Sequence, residues 1–308
     1  MMRNHVQRWT IFHLFLLFFM ILTENIPISS SSSIACASSD RKKILLSMKP
    51  AFWSWMPCLT ALNDSFVTKV KSFEHILRKN TSILPPMIAE SDFVLPMTVN
   101  ESIAVAPFAG TKLLFPSLHV REILDDKNHF TRFMLKHFPE MIPKIFYLEG
   151  RMILNPRNIS YQGSFVSKPP VSFAGKGIKI HPNEKFEKIH SSQRSLVMEF
   201  LNTTVEYGYH FIAIHGKVVS SLLYEQSMSF SEINRGPMRK SFDLLTEPYP
   251  IDLSIFWQLL HKLKYHGAGQ TCFRFAEYDG KPKFFEINSR FGGTSFQQRC
   301  DVYSLLCF

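Results

Sequence analysis

The hydrophobic pattern of the first 120 residues alternates between short apolar runs and longer segments with helical spacing. Residues Lys43 to Leu46 predict a first buried strand, Phe66 to Leu77 predict a helix, and Asp92 to Pro96 predict a strand that ends at a proline. Strands that alternate with helices indicate a parallel α/β arrangement. We therefore predict a small parallel α/β lobe over residues 41–120, in which no G-x-G-x-x-G dinucleotide motif occurs.

Beyond residue 120 the pattern mixes helices with strands and hairpins. Arg121 opens a predicted helix that runs through Leu135, with Asp125 or Asp126 as its N-cap. Further segments are each typical of one local structure. They are a strand, flexible loop and strand over Ser164–Ile180, an apolar strand over Ser195–Leu201, a hairpin of Tyr207–Ile214 with Val218–Leu223 around His215-Gly216-Lys217, a helix over Ile251–His266 and a strand over Thr271–Phe275.

Composition places the chain among folded proteins with a sizeable core. It has 308 residues, of which 45% are hydrophobic and 19% charged, enough for two or three packed lobes. The net charge of +10 and the isoelectric point near 9.4 favour anionic partners such as nucleotides. The Lys and Arg residues are spread along the chain without a basic block, so we expect no nucleic-acid binding.

The first 37 residues have the pattern of a targeting segment. Arg3 and Arg8 precede an apolar run from Ile11 to Leu22, and Ala35-Cys36-Ala37 fits a small-x-small cleavage site. The run is short for a membrane-spanning helix, which favours a cleaved signal that routes the chain to the secretory pathway or an ER-routed organelle. A retained membrane anchor and an organellar presequence are the alternatives. We expect membrane contact only through this segment.

The most informative stretch begins at residue 284 and reads F-F-E-I-N-S-R-F-G-G. Alternate side chains of an extended strand share a face. One face then carries Glu286, Asn288 and Arg290, and the other carries Phe285, Ile287 and Ser289. A carboxylate and an amide oxygen at this spacing can ligate Mg²⁺ or Mn²⁺, and the arginine can clamp a phosphoryl or carboxylate group. A solvated edge strand is the alternative.

Residues upstream of this stretch suggest a nucleotide pocket. Lys168 leaves a predicted strand before a Ser- and Gly-containing loop, residues 171–177, and both can contact a triphosphate; a long hairpin is the alternative. Glu199 with the backbone of Phe200 and Leu201 can pair with a purine, and Glu206 can bind ribose hydroxyls. A solvated carboxylate at the strand end is the alternative for Glu199.

These motifs, in this order, closely resemble those of the ATP-grasp superfamily. The strand around Glu286 is similar to the family's E-x-N-P-R signature, although Ser289 stands in place of the proline. The matching parts upstream are Asp126-Lys127 at a helix start, Lys168-Pro169 with Gly175 and Gly177, and Glu199 with Glu206. The resemblance implies an ATP-grasp fold, with a small N-terminal parallel α/β lobe and, over residues 121–308, two α+β lobes that enclose ATP.

The resemblance also implies a role for each matched residue. Glu286 would bridge two Mg²⁺ (or Mn²⁺) ions and Asn288 would hold one of them. Lys127 and Lys168 would bind phosphates, and Arg290 would meet the transferred phosphoryl group or the acyl-phosphate. Residues 171–177, which include Gly175 and Gly177, would form a mobile lid.

The implied activity is that of an ATP-dependent ligase, which activates a carboxylate as an acyl-phosphate for attack by an amine or similar nucleophile. The alternative is a nucleotide-binding protein without turnover, because Arg274 stands where active relatives usually carry an acidic or amide metal ligand. Acceptor specificity is assigned to the N-terminal lobe and to loops such as Glu225 to Leu244, which carry no readable motif. The carboxylate and amine substrates and the oligomeric state stay open.

Overall fold

A computed structural model describes residues 42–47, 67–70, 72–79, 82–96, 98–159, 161–171, 177–181, 195–229, 238–245, 248–290 and 305. All of them belong to one compact unit, Ser38–Phe308. The predicted targeting segment, residue Gly175 and most of the predicted lid lie outside the described residues. No helix within these ranges is long and apolar enough to cross a membrane.

The N-terminal lobe is a three-stranded parallel sheet with helices packed against it. Its strands are β1 (Ile44–Ser47), β2 (Val67–Val70) and β3 (Phe93–Leu95), in the order β2-β1-β3. Its helices are α1 (Phe73–Lys79), α2 (Leu84–Ala89) and α3 (Val99–Ala109). Leu45, Phe73 and Val105 form the centre of the shared core. The predicted small parallel α/β lobe is thus confirmed.

The predicted helix over Phe66 to Leu77 is wrong in its first half. Val67–Val70 forms strand β2, which pairs with β1 from Val67 opposite Ile44 onward, and the helix begins only at Phe73. Three of the four β2 residues are β-branched, which favours a strand once a partner is available. Glu101 then fixes the start of α1, since its carboxylate accepts hydrogen bonds from the Phe73 N–H at 2.7 Å and from Ser72 Oγ at 2.6 Å.

The second lobe contains two helices and a five-stranded sheet. The helices are α4 (Leu118–Asp125) and α5 (Lys127–His137), and the strands are β4 (Ile145–Leu148), β5 (Arg151–Met152), β6 (Phe165–Lys168), β7 (Lys179–His181) and β8 (Leu196–Glu199). The sheet order is β5-β4-β8-β6-β7, and neighbouring strands are antiparallel. The predicted pair of strands around the loop after Lys168 and the strand ending at Glu199 are therefore confirmed.

The single helix predicted from Arg121 is two helices that meet at Asp126. This residue has an extended backbone, with φ −105° and ψ 117°, and its carboxylate accepts hydrogen bonds from the N–H groups of Asn128 and His129. An aspartate in this geometry is a preferred N-cap because it satisfies backbone donors that the helix leaves without partners. The cap places Lys127 at the first position of α5.

The third lobe is a second five-stranded sheet backed by one helix. Its strands are β9 (Val205–Ile214), β10 (Lys217–Ser229), β11 (Met238–Leu245), β12 (Gly267–Phe275) and β13 (Pro282–Asn288), in the order β11-β10-β9-β12-β13. Helix α6 (Ser254–Leu263) packs on one face, where Tyr209, Phe211 and Phe284 contact the buried Phe256.

The turn between β9 and β10 confirms the predicted hairpin. His215 and Gly216 both have positive φ, 51° and 85°, which two-residue hairpin turns require. Glu225 to Leu244 is not simply a loop, because residues 225–229 extend β10 and residues 238–244 belong to β11. These strand residues pair with one another across the sheet, which the alternating polar pattern did not reveal.

Candidate functional site

One face of the second five-stranded sheet carries polar side chains instead of core residues. Directly paired residues of antiparallel strands share a face. Here Cys272 is paired with Glu286, Gln270 with Asn288, and Gln226 with Glu206. The opposite face holds the apolar residues that pack on α6, so this polar face is where binding and chemistry can occur.

A β-bulge in β13 changes which side chains reach this polar face. The register moves from Cys272 opposite Glu286 to Phe273 opposite Phe284, which leaves Phe285 as the extra residue. Strict alternation predicted Phe285 on the face away from Glu286, and this is wrong. Its ring lies 4.8 Å from the Nζ atom of Lys168, because the bulge breaks the two-residue period of the strand.

Two buried lysines meet the carboxylate of β13. Lys127 Nζ lies 3.7 Å from Glu286 Oε2, and Lys127 and Lys168 are only 6% and 8% exposed. The backbone joins them, because the Lys127 N–H donates to the carbonyl of Pro170 at 2.9 Å. The Glu286 side chain itself is 39% exposed, so a ligand can reach it between the lysines.

The charged groups around Lys168 would favour the binding of an added anion. Burial lowers the pKa of Lys168 to about 8; Lys127 and Arg274 also lower it, while Glu286 and Glu206 raise it. All four charged neighbours therefore lie near one ammonium group. An added anion such as a phosphate would stabilise its charged form, since three cations here face only two carboxylates.

Arg274 holds the residues that were predicted to bind the nucleoside. Its Nε and Nη2 atoms donate to Glu206 Oε2 at 3.1 and 3.0 Å, and its Nη1 donates to the carbonyl of Leu201 at 2.8 Å. Both partners of this ion pair are buried. Across β13, Cys272 is paired with Glu286 whereas Arg274 is paired with Lys283, and the guanidinium of Arg274 donates to Glu206 and Leu201.

Glu199 lies in a different network. Phe165 is paired with Glu199 and Lys168 with Leu196, so strand alternation places Glu199 on the opposite face of its sheet from Lys168. Its carboxylate accepts hydrogen bonds from the Lys144 N–H at 2.8 Å and from the Tyr278 hydroxyl at 2.6 Å. Burial and this hydrogen bond raise the pKa of Tyr278. Purine recognition by Glu199 stays a prediction.

The remaining predicted residues lie at different distances from Lys127, Lys168 and Glu286, which we call the lysine cluster. Asn288 Nδ2 is 3.5 Å from Glu286 Oε1, so the two predicted metal ligands are adjacent. Gly177 has a φ of 76° and packs beside Pro169, next to Lys168. The charge of Arg290 acts on Asp125 at the end of α4. Partial burial raises the pKa of Asp125, and the charges of Arg121 and Arg290 oppose that rise.

The sequence analysis did not single out Gln226, which the structure places in this site. Gln226 is fully buried, and among the described residues neither its side-chain oxygen nor its nitrogen has a hydrogen-bond partner. Gly208 makes the space, because a Cβ atom there would lie 2.3 Å from Gln226 Nε2. The available signal was the set of polar and glycine positions at Glu206, Gly208 and Gln226 within two neighbouring strands.

No family model matches the chain, and no curated protein matches its sequence significantly. Solved structures do match it. D-alanine–D-alanine ligase from Bacillus anthracis is 15% identical, with a TM-score of 0.51 over 85% of this chain and 92% of its own. The ATP-grasp ligase PsnB, complexed with a minimal precursor, is 14% identical, with a TM-score of 0.54 over 86% and 97%.

A third match is the biotin carboxylase domain of 2-oxoglutarate carboxylase from Hydrogenobacter thermophilus, solved with MgADP, ADP and bicarbonate. It is 14% identical, with a TM-score of 0.51 over 87% of this chain and 69% of its own. At this identity the likeness concerns the fold. The chain has the ATP-grasp fold, as the order of its motifs predicted.

Proposed function

We propose that this protein is an ATP-dependent ligase that activates a carboxylate as an acyl-phosphate for attack by an amine or similar nucleophile. The observation that carries the proposal is the convergence of buried Lys127 and Lys168 on the exposed carboxylate of Glu286. A cluster of this kind suits a triphosphate with its metal ion, because lysines neutralise phosphate oxygens and a carboxylate ligates the metal. The ligases of the same fold support this reading.

The donor set fits Mg²⁺ or Mn²⁺ bound together with phosphates. The described residues contain no cluster of three or more His, Cys, Asp or Glu side chains that could hold a metal ion alone. Glu286 and the adjacent Asn288 offer hard oxygen ligands, and Mg²⁺ commonly completes its shell with phosphate oxygens and water. When bound, the metal would neutralise charge on the phosphates. Glu286 and Asn288 would hold it.

The side chains of this site would position and neutralise charge instead of reacting covalently. In the proposed reaction a substrate carboxylate oxygen bonds to the γ-phosphorus, and the bond from that phosphorus to the bridging oxygen breaks to release ADP. An amine then bonds to the acyl carbon, inorganic phosphate leaves with the bonding electrons of the acyl–oxygen bond, and the proton lost by the nitrogen passes to that phosphate. Lys127, Lys168 and Arg290 would offset the negative charge that these steps redistribute.

The alternative is a protein that binds nucleotide without turnover. It is supported by Arg274, which engages Glu206 and the carbonyl of Leu201, and by Ser289 within the signature strand. Metal stoichiometry with a non-hydrolysable ATP analogue separates the two readings. Two Mn²⁺ ions per chain support the ligase, whereas one or none supports the binder.

The first experiment is the shift in melting temperature that ATP and Mg²⁺ cause in the full chain. Ligand at about 100 times its Kd adds roughly 2.7 kcal/mol of stability, which corresponds to a shift of about 4 to 5 °C for a protein of 308 residues. Lys168→Ala and Glu286→Ala should abolish the shift. Lys179→Ala and Glu277→Ala are matched controls, because both side chains are exposed and outside the lysine cluster, and they should keep it.

A positive shift justifies a screen of carboxylates with amines for ADP release. If the wild-type protein gives no shift with ATP and either metal, the ligase and binder readings both fail. If it gives a shift but no carboxylate and amine mixture releases ADP, the binder reading is the better one.

A further inference from the structure

A second cleft lies on the side of the sheet that α6 covers, away from the lysine cluster. It runs between the β9–β10 hairpin and α6 and has a volume of about 1160 Å³. We call it the hairpin groove and define it by His215, Lys217, Val219, Trp257, His261 and Lys262. Residues of the polar face described above do not line it.

Close contacts tie the two walls of the hairpin groove together. The Gly216 N–H donates to the carbonyl of Tyr265 at 2.6 Å, which ties the hairpin turn to the end of α6. A Cβ atom at Gly216 would lie 2.7 Å from His261 Cα, so only glycine allows the turn to pack this closely on the helix. Tyr249 also donates from its hydroxyl to the Ser221 carbonyl at 2.9 Å, holding β10.

The groove has an excess of positive charge. Lys217 and Lys262 are exposed in its walls, and no Asp or Glu occurs among the described residues that line it. Within the described part of the chain neither lysine forms an ion pair. The surroundings are basic too: partial burial and the charges of Lys262 and Lys136 lower the pKa of His137.

The groove also presents apolar surface in a fixed orientation. Trp257 is 45% exposed, and its indole N–H donates to the Tyr209 hydroxyl at 3.1 Å, so the ring is held while part of it faces solvent. Val219 in the opposite wall is 37% exposed. A rigid aromatic ring flanked by lysines is an anchor for a side chain that is apolar and lies next to carboxylates.

We propose that the hairpin groove binds an extended, acidic peptide segment of a partner or substrate protein. Its carboxylates would lie on Lys217 and Lys262, and an apolar or aromatic side chain would lie on Trp257. The groove is open to solvent and not an enclosed pocket, which favours an extended peptide over a small molecule. The concave shape and the apolar ring favour a peptide over a flat lipid surface. The proposal does not depend on ATP binding.

The test is fluorescence anisotropy of the full chain with a short fluorescein-labelled peptide of Glu-Glu-Phe repeats. The double variant Lys217→Glu with Lys262→Glu should weaken binding at least about tenfold, and added salt should weaken wild-type binding, because the contacts are electrostatic. Lys179→Glu with Lys281→Glu is the matched control: it changes the net charge equally at exposed lysines elsewhere, and should change affinity less than about twofold.

Trp257→Ala is an independent test of the contact between the peptide's aromatic side chain and the indole ring. It should weaken the Glu-Glu-Phe peptide but leave a Glu-Glu-Ala peptide nearly unchanged, since only the former has a ring to place on the indole. Equal loss in the two charge-reversal variants, or no binding of the acidic peptide at low salt, would overturn the proposal. Binding of phosphatidylserine vesicles that depends on Lys217 and Lys262, without peptide binding, would assign the groove to a membrane and also overturn it.

Discussion

At the residue scale, the buried amide of Gln226 supports the proposal that a ligand binds on the polar face. A buried amide without hydrogen-bond partners costs about 1 to 3 kcal/mol of stability. Gln226 is fully buried, and its amide atoms have no such partner among the described residues. A side chain of this type lowers the stability of the empty protein and can regain its hydrogen bonds from a bound molecule.

We therefore expect Gln226→Met to raise the melting temperature of the protein without ligand and to reduce the further shift caused by ATP and Mg²⁺. Methionine has a similar volume and needs no hydrogen bond, so it removes the desolvation cost without opening a cavity. Differential scanning fluorimetry with and without ligand measures both effects. The exposed Gln258→Met is the control and should change neither; a lower melting temperature for Gln226→Met would contradict the argument.

The lowered pKa of Lys168 predicts how the affinity for ATP depends on pH. Burial lowers the pKa of Lys168 to about 8, so the side chain loses its charge as the pH rises through that value. A neutral amine attracts phosphate poorly, so the Kd for ATP should increase above pH 8 and be nearly constant below it. Isothermal titration calorimetry from pH 7 to 9.5 measures the trend. Lys168→Arg should flatten it because a guanidinium stays charged; an identical profile in both proteins would refute the assignment.

At the element scale, the break between α4 and α5 matters because it sets the position of Lys127. Asp126 caps α5 through the N–H groups of Asn128 and His129, and the lysine follows directly. Asp126 thus sets where α5 begins and, with it, the direction in which the Lys127 side chain leaves the helix.

Asp126→Ala should lower the free energy of unfolding by about 1 kcal/mol, the usual cost of losing an N-cap, and should also weaken ATP binding. Urea denaturation and calorimetry measure the two effects. Ser117→Ala is the matched control, because Ser117 caps the neighbouring helix α4 through the Val120 N–H and lies apart from the lysines. It should reduce stability without changing ATP affinity; equal losses of affinity in both variants would contradict a specific role for Asp126.

At the scale of the whole molecule, Tyr278 and Glu199 join the two large sheets. Tyr278 lies in the turn between β12 and β13, whereas Glu199 ends β8 of the other sheet, and their hydrogen bond is 2.6 Å long. Lys144 also contacts Tyr278 through a cation–π interaction, with its Nζ atom 3.7 Å from the centroid of the ring. This network holds the two sheets between which the nucleotide is proposed to lie.

We expect Tyr278→Phe to cost about 1 to 3 kcal/mol of stability, because it leaves the buried Glu199 carboxylate with one donor fewer. Urea denaturation measures the cost, and Tyr147→Phe, on the neighbouring β4, is the comparison variant.

Glu199→Gln tests the predicted purine contact: if the carboxylate is only structural, stability falls while the preference for ATP over GTP is kept. A changed ATP to GTP preference would support purine recognition by Glu199.

Local patterns in the sequence were sufficient to predict most of the secondary-structure elements and the class of fold. The Asp126 cap, the hairpin at His215 and Gly216 and the strands of Lys168, Glu199 and Glu286 could be predicted because each depends on neighbours along the chain. The order of these motifs also predicted the ATP-grasp fold. The targeting segment, the lid with Gly175 and the domain limits stay predictions.

Which side chains share the site depends on the long-range pairing of strands. The pairing of Cys272 with Glu286 and the bulge at Phe285 depend on how β12 and β13 align, and the contact of Arg274 with Glu206 depends on how β9 and β12 align; no local pattern specifies either register. The same is true of β2, which became a strand because β1 lay beside it. A one-residue shift in pairing moves a side chain to the other face of a sheet, so the composition of this site follows from strand register.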